Sequence, residues 1–175
     1  MSLARIRALV IVGVLVVAAV VLSIVAVVRD QQPHRTYAAK CPAGSVPVVT
    51  KPLPDEKDIK LNVFNGTGTP GLANDVADKF RNRKFTVDKV GDTAHVDGVA
   101  VIKYGPKTVA AATVVNAYFL NDGQLVFDLK STDDHITVLI GSQYRTIGTP
   151  TDVHQAIAAQ GNPSPPPGTC AVSTG

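Results

Sequence analysis

The hydrophobic pattern of this 175-residue chain begins with an unbroken apolar run and then gives way to short alternating segments. Leu9 to Val28 reads LVIVGVLVVAAVVLSIVAVV, without a charge. A helix of that length rises about 30 Å, the thickness of a bilayer's hydrocarbon core. The pattern therefore predicts one transmembrane helix over 9–28, behind a short cytoplasmic tail, 1–8. A cleaved signal peptide is the alternative. Its apolar region would span about 7–15 residues and end in a small-x-small site. This run is longer and ends Val27-Val28-Arg29-Asp30.

Periodicity is lost over 29–57, where Pro33, Pro42, Pro47, Pro52 and Pro54 predict an extended spacer. It returns at Ile59-Lys60-Leu61-Asn62-Val63-Phe64, whose alternation predicts a strand. Leu72, Ala73, Val76, Ala77 and Phe80 then recur at helical spacing, so Leu72 to Lys84 reads as a helix. Thr69 suits its N-cap and Pro70 its first position. Phe85–Val90 and Val99–Tyr104 read as strands two and three, separated by a polar loop from Gly91 to Gly98. Pro106 to about Asn121 is alanine-rich and reads as a second helix. Gln124–Leu129 and Ile136–Ile140 read as strands four and five, joined by a polar turn through Ser131 to Asp134. Thr151 to Gln160 suits a short last helix. The tail 161–175, with Pro163 and Pro165-Pro166-Pro167, is expected to be irregular.

The order β-α-β-β-α-β-β over 58–160 predicts an α/β fold. It would be a two-layer sandwich with a mixed sheet of about five strands and two to three helices, one sheet face less covered than the other. The first β-α-β is expected to be a right-handed parallel crossover.

Charge is unevenly placed. Residues 58–160 carry 10 Lys and Arg against 11 Asp and Glu, a net −1; the rest carry 7 against 3, a net +4, together the chain's +3. The domain thus lacks the basic excess that a nucleic-acid binder needs. The positive-inside rule gives little bias here. A short N-terminal tail and a long C-terminal segment favour an N-terminus inside and a domain outside the plasma membrane of a bacterium. The two cysteines, Cys41 and Cys170, bracket the domain. In an exported domain that placement predicts one disulfide; two unrelated thiols are the alternative.

The candidate chemistry centres on Asn65-Gly66-Thr67-Gly68-Thr69-Pro70-Gly71, a strand-to-helix junction. It fits G-x-G-x-x-G, and Asp88 lies 22 residues after Gly66. A dinucleotide site would need Asp88 at a strand end and more parallel units than this domain holds. No Lys-Ser/Thr follows, which excludes a phosphate loop of the Walker type. Two readings stay open: a tight turn, or an anion site formed by Gly66, Thr67, Gly68, Thr69 and Gly71 at the helix N-terminus. Lys79, Arg81, Arg83 and Lys84 form a basic helix end. They suit either solvent and the helix dipole or an anionic polymer or headgroup. His34, His95, His135 and His154 are scattered, so no metal site is expected. Neither cysteine has a neighbouring base, Asp133-Asp134 reads as turn chemistry, and Asp128 falls at a strand end. These observations predict neither a cofactor nor catalysis.

Val63-Phe64-Asn65-Gly66-Thr67-Gly68-Thr69-Pro70-Gly71-Leu72-Ala73, with Phe85-Thr86-Val87, Val90-Gly91, Val101–Tyr104 and Ile136–Gly141, resembles the LytR C-terminal domain family over about residues 58–141. That resemblance implies a bacterial cell-envelope role. Many such domains follow a LytR-CpsA-Psr domain that transfers glycopolymers from lipid carriers to peptidoglycan. Its pyrophosphate site has no counterpart in these residues, so the activity is not carried over. The expectation is a membrane-anchored, non-catalytic envelope-integrity protein that binds envelope proteins, glycopolymers or lipids. A lipid-carrier or headgroup-binding protein using the glycine loop is the alternative.

Overall fold

The alternation of Lys60-Leu61-Asn62-Val63-Phe64-Asn65 is set by a sheet with one covered face. Leu61 and Val63 are fully buried, and both lie on the side where the helices pack. The computed structural model describes residues 13, 16, 41–161 and 163–173. Apart from Gly13 and Val16, the expected transmembrane span 9–28 lies outside the described residues, as do the tail 1–8 and residues 29–40. Among the described residues no helix is long and apolar enough to cross a membrane. The fold described below belongs to one compact unit, Tyr37–Gly175.

Its elements are β1 (Val46–Lys51), β2 (Lys60–Asn65), α1 (Leu72–Asn82), β3 (Thr86–Asp92), β4 (Ala100–Tyr104), α2 (Val109–Tyr118), β5 (Gln124–Phe127), β6 (His135–Ile140), α3 (Pro150–Gln160) and β7 (Thr169–Ser173). Short 3-10 turns cover Glu56–Asp58 and Pro106–Thr108. The main sheet has the order β3-β2-β6-β4-β5. It is mixed: β2 is parallel to both β3 and β6, β4 is parallel to β5, and β4 runs antiparallel to β6. The unit is therefore an α/β fold with a five-stranded sheet and three helices.

Two β-α-β crossovers leave the sheet centre in opposite directions from antiparallel strands. If both are right-handed, α1 and α2 must share one face. They do: Phe80 of α1 lies 5.9 Å from Tyr118 of α2, and Phe85 lies 5.0 Å from Tyr118, ring centre to ring centre. α1 buries Ala73, Val76, Ala77 and Phe80 on the stripe its spacing predicted. All ten residues of α2 are buried, because it is enclosed by the sheet, by α3 and by β1. The opposite sheet face carries Phe64, Leu139 and Val101 side by side, half-buried.

Several expectations need correction. The segments expected to be linker and irregular tail each contain a strand, and β1 and β7 pair in parallel as a separate two-stranded sheet. Pro47 is tolerated there because Val46 N–H bonds to Gly168 O across the pair. The next residue then faces the open edge, where no N–H is required. Val48 is inserted into the unit at 1% exposure, which anchors the pair. The strand order, which the sequence left open, puts β4 between β5 and β6, although these two are consecutive through the polar turn. The polar loop after strand two starts later than expected, since β3 runs on to Asp92 beside Asn65. Thr69 does not cap α1. The N-cap is Gly71, in left-handed geometry at φ 78°, and its carbonyl accepts the first helical bond from Asp75 N–H at 3.1 Å. α2 ends at Tyr118 rather than near Asn121.

Candidate functional site

The glycine junction sits at the carboxyl end of β2. Asn65, 3% exposed, organises it. Its Nδ2 donates to Thr69 O at 2.8 Å and to Asp92 Oδ1 at 3.1 Å. Its Oδ1 accepts from Thr67 N–H at 3.0 Å and from the Thr67 hydroxyl at 2.7 Å. Thr69 N–H donates to Thr67 Oγ1 at 3.1 Å. Gly66 is clamped beneath: its N–H donates to Ile140 O and its carbonyl accepts from Val96 N–H, both at 2.9 Å. A Cβ at Gly66 would lie 2.5 Å from Val96 Cγ2 and 2.9 Å from Ile140 O. Gly68 and Gly71 are different. Both are exposed at positive φ, with open space where a side chain would stand. The five predicted site residues thus form one loop, but only Gly68, Thr69 and Gly71 face outward.

Asp88 lies toward the other end of the sheet, away from this loop. Asp92, not Asp88, reaches the junction. Asp88 Oδ2 is 2.5 Å from His135 Nε2, while Asp133 Oδ1 and Asp134 Oδ1 lie 2.9 and 2.8 Å from His135 Nδ1. Lys60 Nζ holds Asp134 Oδ2 at 2.7 Å. Hydrogen bonding to Asp133 and then Asp88 pushes the His135 pKa up. The bond from His135 holds Asp133 below the ordinary carboxylate range, and the bond from Lys60 does so for Asp134. Donor atoms of Asp133, Asp134 and His135 lie within 4.8 Å of one another, close enough to be metal ligands. Yet both ring nitrogens already face carboxylates and Lys60 neutralises Asp134, so the arrangement is a charge network closed on itself. Asp133 also makes the predicted turn, accepting from His135 N–H at 3.2 Å.

The basic end of α1 divides into two pairs. Lys79 pairs with Asp75 at 2.8 Å, and Arg81 with Asp78 at 2.9 Å. Arg83 and Lys84 instead line a cleft of about 290 Å³ with Glu56, Tyr118 and, from the first turns of α3, His154. The Tyr118 hydroxyl donates to Glu56 Oε1 at 3.1 Å. Burial and that carboxylate push its pKa up to about 12, with Arg83 acting in the opposite direction. Arg83 Nη1 is buried and has no hydrogen-bond partner among the described residues. A larger cleft of about 730 Å³ opens beside the end of α2, bordered by Phe119, Leu120, Asp122, Tyr144 and Arg145. Neither cleft is lined by the glycine loop. In the sequence, Asn65 lies inside the glycine motif without a role of its own, and His154 is only one of four scattered histidines. Tyr118 carries no sequence signal, because nothing in its local pattern distinguishes it from a core position.

Cys41 and Cys170 are joined in a disulfide, with Cα atoms 5.6 Å apart across 129 positions of sequence. Residues 58–144 match the family model described as LytR cell envelope-related transcriptional attenuator, LytR_C. Among solved structures, the chain is similar to the soluble domain of a conserved hypothetical secreted protein from Mycobacterium marinum. The identity is 23% over 67% of this chain and 82% of that one, with a TM-score of 0.49. No curated protein matches the chain.

Proposed function

The chain carries a LytR_C domain over residues 58–144, and from that premise we propose a membrane-anchored extracytoplasmic protein that supports cell-envelope integrity by binding envelope proteins, glycopolymers or lipids. The observation that carries this reading is the Cys41–Cys170 disulfide around a cell-envelope-related domain. Such bonds persist in oxidising, exported compartments and are rare in a reducing cytosol. The apolar run 9–28 supports the anchor by its length alone. A non-catalytic role fits the chemistry of the described groups. The chain's only two cysteines are joined to each other, and His135 is tied by both ring nitrogens to carboxylates.

The test is fractionation of the full chain in a bacterial host. It should sediment with membranes, lose its domain to protease added outside spheroplasts, and show linked cysteines under non-reducing mass spectrometry. A soluble, protease-protected chain with two free thiols would overturn the reading. A second reading, headgroup binding by the glycine loop, is favoured by the outward-facing left-handed backbone at Gly68 and Gly71 ahead of α1. Loss of binding to envelope membranes on Gly68→Ala, in a variant that still folds, would select it.

A further inference from the structure

The cleft between the end of α1 and the start of α3 holds two cations, Arg83 and Lys84, against one carboxylate, Glu56. Arg83 has a buried Nη1 that no group among the described residues satisfies. Its position is fixed by a complete helix-terminating motif. Lys84 N–H donates to Arg81 O at 2.8 Å and Phe85 N–H donates to Phe80 O at 3.1 Å. The rings of Phe80 and Phe85 pack edge to face at 5.1 Å, the hydrophobic contact that accompanies this motif. The residue after the C-cap in such a motif adopts left-handed geometry and is usually glycine. Here it is Lys84, at φ 73°. A lysine held in a conformation that favours glycine, beside an arginine with an unmet donor, places two cations at one cleft. Tyr118 and, from α3, His154 line the same cleft. One carboxylate, Glu56, also lines the wall and accepts from the Tyr118 hydroxyl; its single charge is outnumbered by Arg83 and Lys84. Planar guanidinium with an adjacent ammonium is the donor geometry that recognises phosphate oxygens.

We propose that Arg83, Lys84, Tyr118 and His154 form a binding site for a phosphate-bearing anion, either a lipid headgroup or a free phosphate group. The site names a ligand chemistry for the envelope-binding reading and rests on it only for where that ligand comes from. It lies at the opposite end of α1 from the glycine loop, so the two are separable by mutation.

The experiment uses the unit 37–175, which has its own core and disulfide. Inorganic phosphate is titrated while the NMR signals of Arg83, Lys84 and His154 are followed, and vesicles of phosphatidylglycerol or of phosphatidylcholine are tested for co-sedimentation. Saturable shifts at these residues are expected. Arg83→Gln should weaken phosphate binding about tenfold. Lys84→Gly should weaken it at least about threefold without lowering the unfolding midpoint. Lys89→Gln, on the far side of the sheet, should leave it unchanged. Arg83-dependent binding to phosphatidylglycerol vesicles assigns a headgroup; phosphate binding without vesicle binding assigns a free phosphate group. Absence of saturable shifts overturns the proposal. So does wild-type affinity in a folded Lys84→Gly or Arg83→Gln variant, or equal weakening by Lys89→Gln. None of these outcomes alters the fractionation result on which the envelope role depends.

Discussion

Single residues divide the glycine junction into a buried clamp and an open rim. Gly66→Ala drives a methyl into Val96 and the Ile140 carbonyl and should destabilise the domain by about 3 kcal/mol. Gly68→Ala meets no atom and only strains a backbone at φ 77°, at about 1 kcal/mol. Urea unfolding of the two variants reads the difference. The same conserving of contacts explains Asn65, whose four hydrogen bonds leave its side chain no capacity for a ligand. His135 makes a pH prediction. Its folded pKa is raised, so the stability it contributes is full below the unfolded value of about 6.5 and is lost as pH rises through the folded value. Asp133 and Asp134 are lowered. Their contribution is present above about 3.9 and is lost as pH falls through the folded values. The network is therefore strongest between about pH 4 and 6.5. His135→Asn should lower stability there by under about 1 kcal/mol, since the partners are half exposed, and by less at pH 9. Thermal melts across pH check this; an equal loss at both ends would refute it.

At the scale of elements, helix ends hold the local information. Thr149 and Asp152 form a reciprocal cap on α3: Asp152 N–H donates to Thr149 Oγ1 at 3.3 Å, and Thr149 N–H donates to Asp152 Oδ2 at 2.9 Å. Thr149→Ala should lower stability by about 1 kcal/mol, measured by denaturant unfolding. Lys84→Gly should raise it by about 1 kcal/mol, because glycine adopts the left-handed position without Cβ strain. The strand β6 and the helix α1 were legible because their burial follows a period of two and of 3.6, and β2 because its apolar residues alternate even though Asn62 and Asn65 are also buried. α2 was legible only as an apolar segment, since a helix buried all round has no stripe to mark its ends. β1 and β7 were illegible. Pro47 within β1 and the prolines flanking both segments match an irregular chain, and what makes them strands is each other, 123 positions apart from Val46 to Thr169.

For the whole molecule, the disulfide and the β1–β7 pair act together. Both join the ends of the unit, and Val48 packs between them and the helices at 1% exposure. Replacing Cys41 and Cys170 by Ser should lower stability by about 2–4 kcal/mol, an effect of a long loop no longer closed in the unfolded chain. Differential scanning calorimetry of the variant against the oxidised protein measures it, and an unchanged midpoint would show that strand pairing alone holds the ends. The basic end of α1 shows the limit of sequence at this scale. Four cations are adjacent in the chain, yet the fold pairs Lys79 and Arg81 with carboxylates and turns Arg83 and Lys84 into a cleft with Tyr118 and His154. The sequence by itself determined the strand and helix periods, the glycine turn, the family resemblance and the placement of the two cysteines, because each is written in neighbouring residues or in simple spacing. Only the tertiary structure decided the strand order, the pairing of the chain ends and which cations share a cleft, because those follow from crossover handedness and from contacts between residues far apart in sequence.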